Sequence, residues 1–348
     1  MSQSFLQSIS NSKTFVIAEI AQAHDGSIDT AHRLIDLVSG SGVDAVKFQT
    51  HIASAESTSR EPFRVTMSTS DKSRYDYWKR MEFTFLEWAQ LRDHCVESGL
   101  GFMSSPFSVP AVELLDRLGV EVWKIASGEV MNTPMIESIL ATNKPIILST
   151  GLSTFSEIDV LVNLIQASGV DVTVLQCTSE YPCPANMTGL NLLQEFRNRW
   201  GCRVGISDHS GTIFPGLASV ALGAKVIEVH VTSSRDAGGV DGPSSITPEE
   251  LIQLVAGVRF IETAINNRVD KSCLTESASN MKEMFGRSIV ASRNLEFGHI
   301  LTIDDLAFKK PGGGLPWNQV NFLVGKRLNQ SISMDDIVSN DSIDGSDV

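Results

Sequence analysis

Two lysines interrupt otherwise apolar runs: Lys47 in Ala45-Val46-Lys47-Phe48-Gln49 and Lys124 in Val122-Trp123-Lys124-Ile125-Ala126. A buried ammonium without an anion costs several kcal/mol or gives up its proton. Each lysine therefore needs a partner, either an internal carboxylate (Glu19 and Glu129 are candidates) or an anionic ligand. Gln49 shares the parity of Lys47 in an extended chain, so the two side chains can address one ligand. Ser105, Ser127, Ser149 and Ser207 each stand where an apolar run stops. Hydroxyls and free loop amides around two ammonium groups form a cradle suited to phosphate. A single serine at such a point more often caps the next helix, so the signal lies in the repetition.

Two histidines end consecutive apolar runs, in Ile206-Ser207-Asp208-His209 and Val226-Ile227-Glu228-Val229-His230. One isolated histidine is more often a hydrogen-bonded core residue. Two at equivalent ends of neighbouring strands, with carboxylates close by, fit a divalent cation. No third His or Cys stands at a spacing that demands tetrahedral zinc, which favours open octahedral coordination completed by water and ligand oxygens.

The elements that must hold these groups are short runs rich in Val and Ile, apolar on both parities, as in parallel strands buried on both faces. Eight are expected, at Phe15–Ala21, Asp44–Gln49, Gly101–Ser105, Val120–Ala126, Pro145–Ser149, Val172–Cys177, Arg203–Ser207 and Lys225–His230. Helical patterns separate most of them, such as Ala31, Leu34, Ile35 and Val38. Asp29, Thr133, Thr154 and Thr247 are expected caps, and Pro134 and Pro248 suit a first helical turn. The layout is that of a (β/α)₈ TIM barrel, whose chemistry sits at the C-terminal strand ends. The barrel domain is expected over residues 1–268, a polar linker over 269–286 and a small β-rich domain over 287–348 with a frayed acidic end from Asn340. The connection from Thr50 to about Arg80 is too long for an ordinary loop. It concentrates Tyr75, Tyr77 and Trp78, which makes it either a cover over the site or a patch packed on the barrel.

At 348 residues the chain accommodates a barrel plus one small domain. A net charge of −13 argues against general nucleic-acid or anionic-membrane binding, so an anionic substrate would need a locally positive site. No signal-peptide pattern and no span of about 20 apolar residues is visible. Five cysteines without CxxC spacing suit reduced thiols, and the expected location is cytoplasmic.

In their order along the chain, these motifs resemble the sialic acid synthases, phosphoenolpyruvate-dependent enzymes that make nine-carbon (nonulosonic) sugar acids. The resemblance rests on Ala18-Glu19-Ile20 with His24-Asp25-Gly26-Ser27, on Lys47-Phe48-Gln49-Thr50, on Ser105-Pro106-Phe107, and on Lys124-Ile125-Ala126-Ser127-Gly128-Glu129. It continues through Leu148-Ser149-Thr150-Gly151, Cys177-Thr178 with Tyr181-Pro182, Ser207-Asp208-His209-Ser210 and Glu228-Val229-His230. Ser288-Ile289-Val290-Ala291, Lys309-Lys310-Pro311-Gly312 and Val324-Gly325-Lys326 resemble that family's antifreeze-like (SAF) domain. The resemblance implies that His209 and His230 bind Mn²⁺ or Mg²⁺. It implies that Lys124, Ser105, Ser127, Ser149 and Ser207 hold phosphoenolpyruvate. Lys47, Gln49, Tyr181 and Asp241, with Lys310 from the small domain, would position an open-chain acylamino sugar, while Glu129 and Glu19 move protons. A domain-swapped homodimer is implied as well.

Three departures bear on the sugar. Ala23-His24-Asp25-Gly26 replaces the usual Asn-His-Asn-Gly, Gly239-Val240-Asp241 replaces Gly-Pro-Asp, and Lys310 stands where an arginine fork is usual. N-acetylmannosamine and a diacetamido-dideoxy hexose leading to legionaminic or pseudaminic acid are both open. A metal-dependent hydrolase on the same barrel, or a sugar- or ice-binding module on an inert scaffold, are the remoter readings.

Overall fold

Every one of the eight apolar runs forms a strand in the computed structural model, which describes residues 13–65, 71–236 and 239–345. They are β1 (Phe15–Ala21), β2 (Ala45–Thr50), β3 (Gly101–Pro106), β4 (Trp123–Ile125), β5 (Ile146–Ser149), β6 (Val172–Cys177), β7 (Arg203–Asp208) and β8 (Val226–His230). The pairings are parallel, in the order β3-β2-β1-β8-β7-β6-β5-β4. β3 and β4 lie side by side without a hydrogen-bonded ladder, so the (β/α)₈ barrel carries one unzipped seam. β4 is shorter than expected because the Glu129 amide bonds back to the Ala126 carbonyl and turns Ser127–Glu129 out of the sheet.

Strand alternation sorts the barrel interior into layers. Phe15, Ile17, Ala45, Met103, Val122, Ile147, Leu175 and Val226 form a closed apolar plug. Gly205 occupies the corresponding place on β7, where a Cβ would meet the Val226 carbonyl oxygen at 2.1 Å. Two residues further along the same strands the inward positions become Glu19, Lys47, Ser105, Lys124, Ser149, Cys177, Ser207 and Glu228, all buried. The polar layer thus rests on a dry floor, and its charges must be neutralised within it. The opposite strand faces pack against the helices in a larger core that includes Val16, Phe48, Trp88, Trp123, Leu148 and Ile206. Truncating a fully buried leucine there, such as Leu91, is expected to cost about 2–5 kcal/mol.

Helix starts follow local capping chemistry. Thr154 and Thr247 form capping boxes with Glu157 and Glu250. Two other caps differ from the expected residues: Ser27, not Asp29, accepts from Thr30, and Asn132, not Thr133, accepts from Met135. In both cases the chain enters the helix earlier, at an equally competent acceptor.

The long connection after β2 is structured. It holds a short turn of helix at Ala53–Glu56 and a helix at Arg74–Met81, with Tyr77 and Met81 buried. Arg80 anchors it by bonding Asp25 and Asp71. Gly26 is required beside it, at φ +75°, because a Cβ would meet the Arg80 carbonyl oxygen at 2.3 Å.

The chain divides into two units, Met1–Asn267 and Arg268–Val348. Within the second, β9 (Ser288–Ala291) pairs antiparallel with β10 (Leu306–Lys309) over a core of Ile289, Leu295, Leu301, Leu323, Leu328, Val338 and Ile343. The segment expected as a linker carries a helix at Glu276–Phe285, capped by Thr275. The acidic end is less frayed than expected: Ile343 is buried and bridges Leu328, while residues 346–348 lie outside the described residues, as do residues 1–12.

Candidate active site

A cavity of about 1040 Å³ opens at the C-terminal ends of the strands in the first unit. Six of the expected site residues line it: Gln49, Ser127, Glu129, Tyr181, His230 and Asp241. The long connection closes one side with Glu56, Phe63, Arg64, Tyr77 and Trp78, so two of its three expected aromatics line the site and Tyr75 does not. Glu19, Lys47, Lys124, Ser105, Ser149, Ser207 and His209 are buried next to this wall rather than on it.

The two lysines are already partnered. Lys47 Nζ lies 2.5 Å from Glu19 and 3.8 Å from Glu228, and it donates to Ser105 at 3.2 Å. Lys124 Nζ donates to Ser149 at 2.8 Å and lies 3.6 Å from Glu228. Glu228, not Glu129, is therefore the carboxylate shared by both, and Ser207 donates to it at 2.8 Å. Burial opposes its charge, but Lys124, Lys47 and Ser207 outweigh burial and hold it down at about 2. Burial also works against Lys47, yet Glu19 and Glu228 raise its pKa above the ordinary lysine value. Lys124 falls below that value, because burial exceeds the pull of Glu228. Glu19 is raised by burial in spite of Lys47. The cluster meets the cavity at Gln49, whose amide donates to Glu19 at 3.0 Å.

Glu129 bonds Asn132 at 2.7 Å, and burial raises its pKa above that of an ordinary carboxyl group. Ser127 faces Ser179 at 3.2 Å.

His209 and His230 converge, with ring centroids 5.2 Å apart. His209 Nδ1 lies 2.8 Å from the Thr178 carbonyl, which can only accept, so the proton sits on Nδ1 and the Nε2 lone pair is free to bind. Among the described residues only the Tyr181 hydroxyl meets that lone pair, at 3.1 Å. Burial, reinforced by His230, keeps the His209 ring neutral, with a pKa of about 3. Asp241 lies 3.8 Å from His230 Nδ1. Two convergent imidazoles, one with a fixed lone pair, fit a divalent cation. Among the described residues no cluster of three or more His, Cys, Asp or Glu side chains could enclose the ion alone, so water or substrate would complete its shell.

Arg64 was not anticipated from the sequence. Its guanidinium bonds Asp241 at 2.6 Å and lies 4.2 Å from the Tyr181 ring centroid, tying the cover to two sugar-site candidates. Lys310 belongs to the second unit, where its ammonium lies 5.5 Å from the Phe285 ring centroid.

The chain matches the NeuB family over residues 34–270 and the SAF domain over residues 286–344. It is 32% identical to an N,N'-diacetyllegionaminic acid synthase of Campylobacter jejuni, covering 94% of this chain and 99% of that protein. It is 31% identical to the N-acetylneuraminate-9-phosphate synthase of Homo sapiens, over 95% of this chain and 92% of the human one. The crystal structure of an N-acetylneuraminic acid synthetase from Leptospira borgpetersenii superposes with a TM-score of 0.67 at 28% identity, covering 77% of this chain and 90% of that one. No helix among the described residues is long and apolar enough to cross a membrane.

Proposed function

The chain belongs to the NeuB family, and from that premise we propose that it is a nonulosonic acid synthase. It condenses phosphoenolpyruvate with an open-chain acylamino hexose and releases phosphate by C–O cleavage. The observation that carries this reading is the pair of buried ammonium groups, Lys47 and Lys124, adjoining a cavity whose wall reaches the convergent imidazoles. A phosphate and a carboxylate need fixed cations in a protein of net charge −13.

Lys124, with Ser105, Ser127, Ser149 and Ser207, holds the phosphate and carboxylate of phosphoenolpyruvate. Lys47, Gln49, Tyr181 and Asp241 orient the sugar so that its aldehyde faces C3 of the enol. The enol C3 forms the new carbon–carbon bond with the aldehyde carbon. Glu129, which keeps its proton to higher pH than an ordinary carboxyl group, supplies a proton to the aldehyde oxygen, with Glu19 and Lys47 as the second proton-holding pair. Water then adds at C2 and gives one proton back to Glu129; the C2 hydroxyl passes its proton to the departing phosphate as the C2–O bond breaks and the C2 carbonyl forms. His209 and His230 would hold Mn²⁺ or Mg²⁺, which would supply Lewis-acid polarisation of the aldehyde. A homodimer in which Lys310 of one chain serves the partner's cavity belongs to the same proposal.

Either N-acetylmannosamine or a diacetamido-dideoxy hexose suits the chemistry. Phe63, Phe107, Met131 and Leu152 on the cavity wall favour the second, which carries an extra acetyl group. The test is phosphate release from phosphoenolpyruvate across a panel of such sugars, with product mass as readout. Release without any sugar, or undiminished in excess chelator, overturns the proposal.

A further inference from the structure

Gln22 stands just past β1, where Ala21 adopts φ +47° and the β1–β2 register shifts. A non-glycine residue in that region is uncommon and bends the chain out of the strand. The Gln22 side chain thereby lies on the cavity wall beside Gln49. Its Nε2 is 2.9 Å from His51 Nε2 and also donates to Gln49 Oε1. Among the described residues its Oε1 is buried with no hydrogen-bond partner.

Gln49 Nε2 donates to Glu19 Oε1, so Gln49 Oε1 must accept from Gln22. At the other end His51 Nδ1 lies 2.6 Å from the Glu56 carboxylate, which can only accept; in the tautomer that carries its proton on Nδ1, His51 Nε2 accepts the second Gln22 proton. The imidazole cannot rotate away, because it is stacked between Trp78 at 4.0 Å and Phe107 at 4.4 Å. Both Gln22 protons are therefore spent on protein, and only the carbonyl oxygen remains. A buried acceptor left unmade is costly, and a ligand donor would satisfy it.

We infer that Gln22 reads the sugar by accepting a hydroxyl or amide N–H, and that His51 and Glu56 are positioning residues that fix its orientation. This inference rests on the synthase reading and identifies a group within the sugar subsite. Gln22 selects for a donor at one position of the sugar and rejects an analogue carrying only an acceptor there.

Isothermal titration of the full-length, Mn²⁺-loaded chain tests it, using the reduced open-chain hexitols of N-acetylmannosamine and of a diacetamido-dideoxy hexose. These ligands can bind but cannot react. Gln22→Met, which keeps shape and loses the acceptor, should weaken hexitol binding about tenfold and leave phosphoenolpyruvate binding unchanged. His51→Phe, which keeps the stacking, should weaken it similarly, and His51→Gln should restore part of it. The Gln22 side-chain amide resonances, distinct in the free protein, should shift on hexitol addition and collapse toward solvent-exposed positions in His51→Phe. Unchanged hexitol affinity in Gln22→Met, or unchanged Gln22 resonances in His51→Phe, overturns the inference while the synthase reading stands. If the wild-type chain binds no hexitol and turns over no sugar, both fall together.

Discussion

Glu228 lies 3.6 Å from Lys124 and, among the described residues, is the one carboxylate that Lys124 shares with Lys47, which keeps a second carboxylate in Glu19. An incoming anion at Lys124 therefore competes with Glu228 rather than with water. Glu228→Gln should lower folding stability by about 3–5 kcal/mol, because it strands a buried ammonium. Inorganic phosphate should raise the variant's melting midpoint by more than the wild type's. Lys124 already sits below the ordinary lysine range because burial outweighs the pull of Glu228. Removing that pull lowers it further, so the variant's phosphate response should fade earlier as pH rises. Equal phosphate shifts in both proteins would remove Glu228 from this role.

His209→Ala and His230→Ala should each reduce turnover by about a hundredfold or more, consistent with the loss of a group that stabilises developing charge. Bound Mn²⁺, measured by atomic emission after gel filtration, should fall in parallel. Thermal unfolding should change little, since neither ring fills the apolar core. A collapsed fold with metal content intact would make them core residues instead.

Arg64 is half-exposed, and its contacts with Asp241 and Tyr181 join the cover to the cavity wall. Arg64→Ala should raise the sugar KM a few-fold with little change in the phosphoenolpyruvate KM. Exposed ion pairs are screened by salt. The wild-type sugar KM should accordingly rise with ionic strength while the variant's stays flat; parallel salt profiles would exclude the pair.

In the second unit, Asp305 bonds Arg293, His299 and the Thr302 cap. Burial opposes its charge, but these donors hold its carboxylate well below the usual range. A depressed folded-state pKa adds stability that is fully present above the ordinary carboxylate range and is lost as pH falls through the folded value. Acid unfolding of this unit should therefore steepen below about pH 4, the ordinary aspartate value. Asp305→Asn should cost about 1–3 kcal/mol at neutral pH and flatten that acid limb. An acid limb unchanged in the variant would assign the effect to other carboxylates.

Much of the barrel was legible in the sequence because strands buried on both faces need continuous apolar runs. An inward polar residue two places beyond an apolar one, as in Ala45 and Lys47 or Val122 and Lys124, marks the strand's chemical end. The convergence of His209 and His230 followed from the same parity. What escaped was set by tertiary contact. Glu228 reads as a polar residue in a strand until its register beside Ser207 brings it between two lysines. His51 continues the parity of Lys47 and Gln49, which was an available signal, but its clamp comes from Trp78 and Phe107 on distant segments. Arg64 gave no local signal, since its partners Asp241 and Tyr181 lie far along the chain.

The unzipped seam between β3 and β4 has a mechanical consequence. Ser105 and its partner Lys47 stand on one bank, and Lys124 with Ser149 on the other. The two banks can move apart or together without rupturing a single main-chain rung. A doubly charged guest that spans the gap would act as a rivet, drawing the staves of the barrel tight around the molecule it carries.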